Sequence, residues 1–178
     1  MRFLSRFTFI IFLFCSTVSF GQEKFEFSKD SGLTDYVIVN LPDKSKSEIY
    51  TYLIKWIKQN YVNSDEVIQT TIENEMIRFK GYYSDKIGFG KLVSADGAFY
   101  LVQIDIREGR IKIDPNYFNV IVGGASVDYT FTNQNTSKMF RNDELKPMFV
   151  EVVQAEVSTF NNIITSIQGL DKNAEDDW

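Results

Sequence analysis

AFYLVQIDIREGRIKID, from Ala98 to Asp114, reads as two strands and the turn that joins them. Glu108-Gly109 fits a two-residue hairpin turn, because glycine enters the positive-φ region at little cost. Folding about that turn sets Arg107 opposite Arg110, Ile106 opposite Ile111, Asp105 opposite Lys112 and Ile104 opposite Ile113. Directly opposed residues share a face, so the isoleucine pairs make an apolar side and Asp105 with Lys112 a wet one. A sheet apolar on one face suits antiparallel pairing and needs a second layer against that face. Asp105, Arg107, Arg110 and Lys112 then read either as a polar binding patch or as an ordinary solvated sheet face.

Working outward, the same alternation recurs upstream. Glu75 to Tyr83 puts Ile77, Phe79 and Gly81 on one face and Met76, Arg78 and Lys80 on the other, and a tight turn at Glu73-Asn74 joins it to a strand over Glu66 to Ile72. Asp35 to Leu41 is short and β-branched and stops at Pro42-Asp43. Ser45-Lys46-Ser47-Glu48 has capping-box spacing, and Ile49, Tyr52, Leu53, Trp56, Ile57 and Tyr61 follow at intervals of three and four, which predicts an amphipathic helix. Downstream, Asn116 to Phe131 has strand character broken at Gly123-Gly124, and Thr132 to Lys138 is polar and loop-like. Pro147 suits a first helical turn, and Phe149, Val152, Val153, Val157, Phe160, Ile163, Ile164 and Ile167 form a second helical stripe. The order predicts an α+β domain, β-α-β-β-β-β-α, with two helices packed on one face of an antiparallel sheet.

The N-terminus points to export. Arg2 and Arg6 precede the apolar run Phe7 to Phe14, and Ser19-Phe20-Gly21 places small residues before a cleavage point at Gln22, the three parts of a signal peptide. The run is far short of the ~20 residues that span a bilayer, so no stable membrane anchor is expected after cleavage. A lipoprotein reading through Cys15 meets Phe14 where a small side chain is wanted. The expected divisions are a signal peptide over residues 1–21, a lead-in over 22–34, a single domain over 35–170 and an acidic tail over 171–178.

Cleavage narrows the chemistry. It leaves 157 of the 178 residues, enough for one domain with a sizeable core, and removes Cys15, the only cysteine. No disulfide, thiolate metal site or cysteine nucleophile is then available. The chain has no histidine, which rules out Ser-His-Asp, Cys-His and histidine-zinc hydrolysis. Losing Arg2 and Arg6 takes the basic count from 19 to 17 against 24 acidic residues, and the net charge from −5 to −7. Nucleic acid is a poor partner for such a molecule. No cofactor and no metal site is expected.

Gly32-Leu33-Thr34-Asp35-Tyr36-Val37, Trp56-Ile57, Asp65-Glu66-Val67-Ile68, Ile72-Glu73-Asn74-Glu75-Met76-Ile77-Arg78, Glu108-Gly109-Arg110 and the closing Asp177-Trp178 resemble a family of exported bacterial proteins of unknown function. The resemblance implies a TATA-binding-protein-like fold. It implies no catalytic residue, and a fold name is not evidence of DNA binding.

Candidate sites are sparse. The carboxylate pairs Glu73 with Glu75 and Asp43 with Glu48 have the chemistry of glycosidase acids and bases, but a turn and a helix cap are competing uses for them. Gly88-Phe89-Gly90 and Gly123-Gly124 lack the strand-turn-helix context of a phosphate loop. Tyr52, Trp56, Phe79, Tyr83, Tyr100 and Phe160 form either a solid core or the lining of a ligand pocket with polar phenol tips. Ser84 to Gly97, partly apolar and punctuated by glycine, reads as a flap over such a pocket or a surface loop that docks a partner. The functional expectation is a non-enzymatic periplasmic or secreted module that binds a protein, a peptide or a small apolar ligand. The alternative is a cell-envelope hydrolase using carboxylates. Asp176-Asp177-Trp178 adds a chain end of the kind another protein can capture.

Overall fold

The computed structural model describes residues 24–90, 93–132 and 134–173, the side chains of 170–173 excepted. The leader, its cleavage residues Ser19, Gly21 and Gln22, and Trp178 lie outside the described residues. Two short strands, β1 (Phe27–Ser28) and β2 (Gly32–Leu33), pair at the N-terminal end. β3 (Val37–Asn40) leads to helix α1 (Lys46–Asn60), the single turn α2 (Ser64–Val67), and strands β4 (Ile68–Ile72) and β5 (Met76–Tyr83). A small hairpin, β6 (Ile87–Phe89) with β7 (Val93–Ala95), precedes the long strands β8 (Ala98–Arg107) and β9 (Arg110–Val122) and the shorter β10 (Ala125–Asp128). A last two-residue pairing, β11 (Phe140–Arg141) with β12 (Glu144–Leu145), delivers the chain into α3 (Pro147–Asn173).

The main sheet is antiparallel in the order β10-β9-β8-β5-β4, and β3 lies along β9. β3 pairs with residues 110–113 of β9 and β10 with residues 119–122, so the two share one edge of β9 end to end. The hairpin has the register expected from its turn, from Arg107 opposite Arg110 back to Ile104 opposite Ile113, with Gly109 at φ +66°.

The β8–β9 ladder carries one irregularity. Leu101 faces Tyr117 and Val102 faces Pro115, so Asn116 is an unopposed bulge residue. An extra residue shifts the alternation by one, which moves the inward set of β9 from Ile111 and Ile113 to Phe118 and Val120. Two segments that read separately, to Asp114 and from Asn116, are therefore one 13-residue strand. Pro115, which has no N–H to donate, sits beside the bulge, where the ladder is already interrupted.

The expected helices form for the expected reasons. Ser45 Oγ accepts from the Glu48 N–H at 3.3 Å while the Ser45 N–H donates to the Glu48 carboxylate at 2.8 Å, a complete capping box. Ile49, Leu53, Trp56 and Ile57 are buried along α1, and Val152, Val153, Phe160, Ile163, Ile164 and Ile167 along α3. Their counterparts on the sheet are Ile77, Phe79, Val102, Ile104, Ile113 and Phe118, all on one face. Full burial of such a side chain contributes about 1.5–3 kcal/mol, so this interface dominates the stability.

Two boundaries differ from the reading. Glu66 and Val67 end the α2 turn, where both backbone N–H groups donate to the Asn63 carbonyl at 3.0 Å, and the strand begins only at Ile68. The N-terminal stretch also joins the core. Phe25 is 1% exposed, packs against Phe160 at 5.6 Å, and exchanges two backbone hydrogen bonds with the Asn161 amide. Among the described residues no helix is long and apolar enough to cross a membrane.

Candidate functional site

The six aromatic candidates mostly pack. Trp56, Phe79, Tyr100 and Phe160 are buried, and Phe79 stands edge-on to Trp56 at 5.6 Å. Phe160 is the hub, with Phe25, Tyr100 and Phe118 all within 6.2 Å of it. Tyr100 lies across its cross-strand neighbour Gly81, where an added Cβ would sit 2.1 Å from the Tyr100 ring. Glycine at that position is what allows the phenol to lie flat. Tyr52, half-buried, donates its hydroxyl to the Ile167 carbonyl at 2.7 Å and so ties α1 to α3. Tyr83, also half-buried, leans on Phe118. The cluster is core for four of its members.

At its rim the packing opens. Between the C-terminal end of α1, the second half of α3 and the end of β5 lies a groove of about 390 Å³. Trp56, Tyr83 and Tyr100 reach it from the expected set, joined by Asn60, Tyr61, Tyr82, Thr159, Asn162, Ile163 and Ser166. No lining residue is of a type that carries a charge at neutral pH. Tyr61 and Tyr100 share one hydroxyl-hydroxyl hydrogen bond at 3.0 Å. Burial, with the Tyr100 phenol beside it, pushes the Tyr61 hydroxyl far above the usual phenol range, and burial pushes Tyr100 up as well. Both therefore stay protonated. One bond uses one of two phenolic hydrogens, and the other has no acceptor among the described residues.

The remaining polar groups are similarly poised. Ser166 Oγ accepts from the Trp56 indole N–H at 2.8 Å, which leaves its own hydrogen to donate. Asn60 spends its Nδ2 on the Trp56 carbonyl at 2.9 Å, which leaves Oδ1 for a donor. Asn162 is exposed one helical turn before Ser166 on α3. Sequence reasoning reached Tyr61 only as part of the α1 stripe and missed Asn60, Asn162 and Ser166. These polar residues flank the apolar stripes, and only the crossing of the two helices shows which flanks meet.

Other surfaces are less suited. Two depressions are larger, about 490 Å³ each. One is lined by Lys46, Glu75, Asp105 and Arg107 among others, and the other by Arg141, Glu144 and Lys146. Neither has an aromatic wall. On the uncovered sheet face Lys112 bridges Asp114 at 3.0 Å and Asp105 at 3.8 Å, and lies over the Tyr36 ring at 4.8 Å. Lys80 covers Phe99 at 4.2 Å, and Gln103 links Arg78 to Asp105. These groups largely satisfy one another, as a solvated face does; Arg107 and Arg110 stand exposed at the hairpin end.

The described residues between Ser84 and Gly97 form β6 and β7, and none of them lines the groove. Phe89 packs on Tyr129 just beyond β10, and Gly88 N–H donates to the Glu151 carboxylate at 2.6 Å, which fastens this hairpin to the first half of α3. The groove uses the second half. Of the carboxylates weighed for catalysis, Glu48 is held in the cap, where the Ser45 hydroxyl and N–H keep it below the usual range, and Glu73 sits beyond the end of β4. Among the described residues no cluster of acidic side chains could hold a metal.

Two solved structures share this architecture. A DUF4468 family protein from Bacteroides ovatus superposes with a TM-score of 0.61 over 76% of this chain and 84% of that one, at 12% identity. A TBP-like protein from Parabacteroides distasonis superposes with a TM-score of 0.54 over 78% of this chain and 91% of that one, at 14% identity. No family model matches the sequence, and no curated protein matches it. At such low identity the likeness is one of fold. The chain has the α+β fold that its residue pattern predicts, and that fold is TATA-binding-protein-like, as the family resemblance implied.

Proposed function

We propose that the mature chain is an exported, non-enzymatic binding module, and that the groove between α1, α3 and β5 holds its ligand. One observation carries the reading: the groove combines aromatic walls with hydroxyl and amide groups that have bonding capacity to spare. Pockets for small ligands have this composition, mostly apolar with a few convergent polar groups. The absence of histidine and cysteine from the mature sequence removes the commonest general base and any thiol nucleophile, in keeping with binding rather than turnover.

Export rests on the leader pattern of Arg2, Arg6, Phe7 to Phe14 and Ser19 to Gly21. The acidic balance of the mature chain argues against nucleic acid as the ligand. A ligand-observed NMR screen of small polar and apolar compounds tests the site. Compounds that bind the wild type and are displaced by Asn162→Trp, which fills the groove from an exposed position, support it. Hits unaffected by that substitution refute it. Intact mass of the protein recovered from the envelope fraction tests export, with a chain beginning at Gln22 expected.

A further inference from the structure

The lining chemistry narrows the ligand, on the reading that the groove is a binding site. An ionic ligand would lose its hydration on entry and find no counter-charge among the ten lining residues. A wholly apolar ligand would strip water from the Tyr61/Tyr100 hydroxyl pair, Ser166, Asn60 and Asn162 and leave their spare donors and acceptors unmet. The fitting ligand is uncharged, carries several donors and acceptors close together, and offers an apolar face to the rings.

We propose that the groove takes a neutral saccharide residue. The half-buried rings of Tyr61 and Tyr83 supply the apolar surface for a sugar face. The spare phenolic hydrogen and the Ser166 hydroxyl donate to sugar oxygens, and Asn60 Oδ1 and the Asn162 amide take the sugar hydroxyls on the outer side. A volume of about 390 Å³ lies near the lower end of the range for small-molecule sites, room for a short saccharide rather than a lipid chain. Asn60, Tyr82 and Asn162 on the lining are exposed, so the groove is open to solvent and the same contacts serve a free sugar or a unit within a glycan chain.

Titration of ¹⁵N-labelled protein tests this. The probes are N-acetylglucosamine, methyl glucoside and cellobiose, with glucuronic acid and glucosamine as charged counterparts and phenol as an aromatic non-sugar. A neutral saccharide is expected to shift the amides of Asn60, Tyr61, Asn162 and Ser166 with a Kd on the order of 1 mM. The charged counterparts are expected at least tenfold weaker. The double variant Asn162→Ala with Ser166→Ala should lose at least tenfold in saccharide affinity, and Asn162→Ala alone, at an exposed helical position, guards against loss of folding. Comparing cellobiose with a soluble β-glucan distinguishes free sugar from polymer. If phenol binds the groove and no saccharide does, the saccharide proposal falls while the groove stands. Failure of every probe at the groove overturns both.

Discussion

Glu156→Gln separates one ionisation from the rest of the molecule. Glu156 lies on the inward side of α3, is fully buried, and is the only buried carboxyl among the described residues. Its Oε1 accepts the Phe131 N–H at 3.3 Å and its Oε2 has no partner. Burial disfavours the carboxylate most, the Phe131 N–H opposes that in part, and the charge of Asp128 adds to it, so the pKa rises from 4.5 to about 8. A carboxyl raised on folding binds its proton more tightly in the native state than in the unfolded one. Below pH 4.5 both states are protonated and the contribution is full. From there to about pH 8 unfolding releases a proton, and stability falls by up to about 1.4 kcal/mol per pH unit, about 5 kcal/mol in all. That is a large share of the roughly 5–15 kcal/mol a domain of this kind has.

Glutamine keeps an acceptor for Phe131 but brings an amide N–H₂ without a partner, at a cost of about 1–3 kcal/mol independent of pH. Urea denaturation followed by tryptophan fluorescence, at intervals from pH 5 to 8, reads both curves. The wild type should lose stability steeply over this range and the variant should stay nearly level, so the two cross and the variant is the more stable at pH 8. Parallel curves would refute the account of Glu156. So would a wild type that gains stability between pH 5 and 8.

Three further substitutions test the packing. Gly81→Ala places a methyl within 2.1 Å of the Tyr100 ring and should destabilise by about 1–3 kcal/mol in the same assay, with loss of near-ultraviolet tyrosine dichroism as that ring is displaced. Phe79→Ala removes a ring that touches both Trp56 and Tyr61 and should cost about 3–5 kcal/mol, with a red shift of tryptophan emission. Gly109→Ala keeps every core contact but strains the hairpin turn at φ +66°, and should cost about 1–2 kcal/mol with no change in the emission spectrum.

The elements that were legible are those set by local rules. The Glu108-Gly109 turn sets a register that propagates down both strands, and Ser45 with Glu48 starts α1 where their spacing says it should. Pro147 opens α3 for the same kind of reason. What escaped depends on tertiary context. The Asn116 bulge carries no mark of its own, and only the shift of inward residues from Ile113 to Phe118 betrays it. Glu156 is not part of the apolar stripe read for α3, although its spacing from Val152, Val153 and Phe160 puts it on the buried side. The groove was half legible. Trp56, Tyr83 and Tyr100 are legible as aromatic candidates, but Tyr61, Tyr82, Asn60, Asn162 and Ser166 join them only because α1, α3 and the end of β5 meet there, a relation no single segment encodes.

The choice between groove and open sheet face is the central claim, and fragment soaking of crystals of the mature protein decides it directly. Uncharged, hydroxyl-bearing fragments should appear between α1, α3 and the end of β5, within hydrogen-bonding distance of Ser166 and the Tyr61/Tyr100 pair. Fragments bound instead across Tyr36, Phe99 and Lys112, with the groove holding water alone, would contradict it.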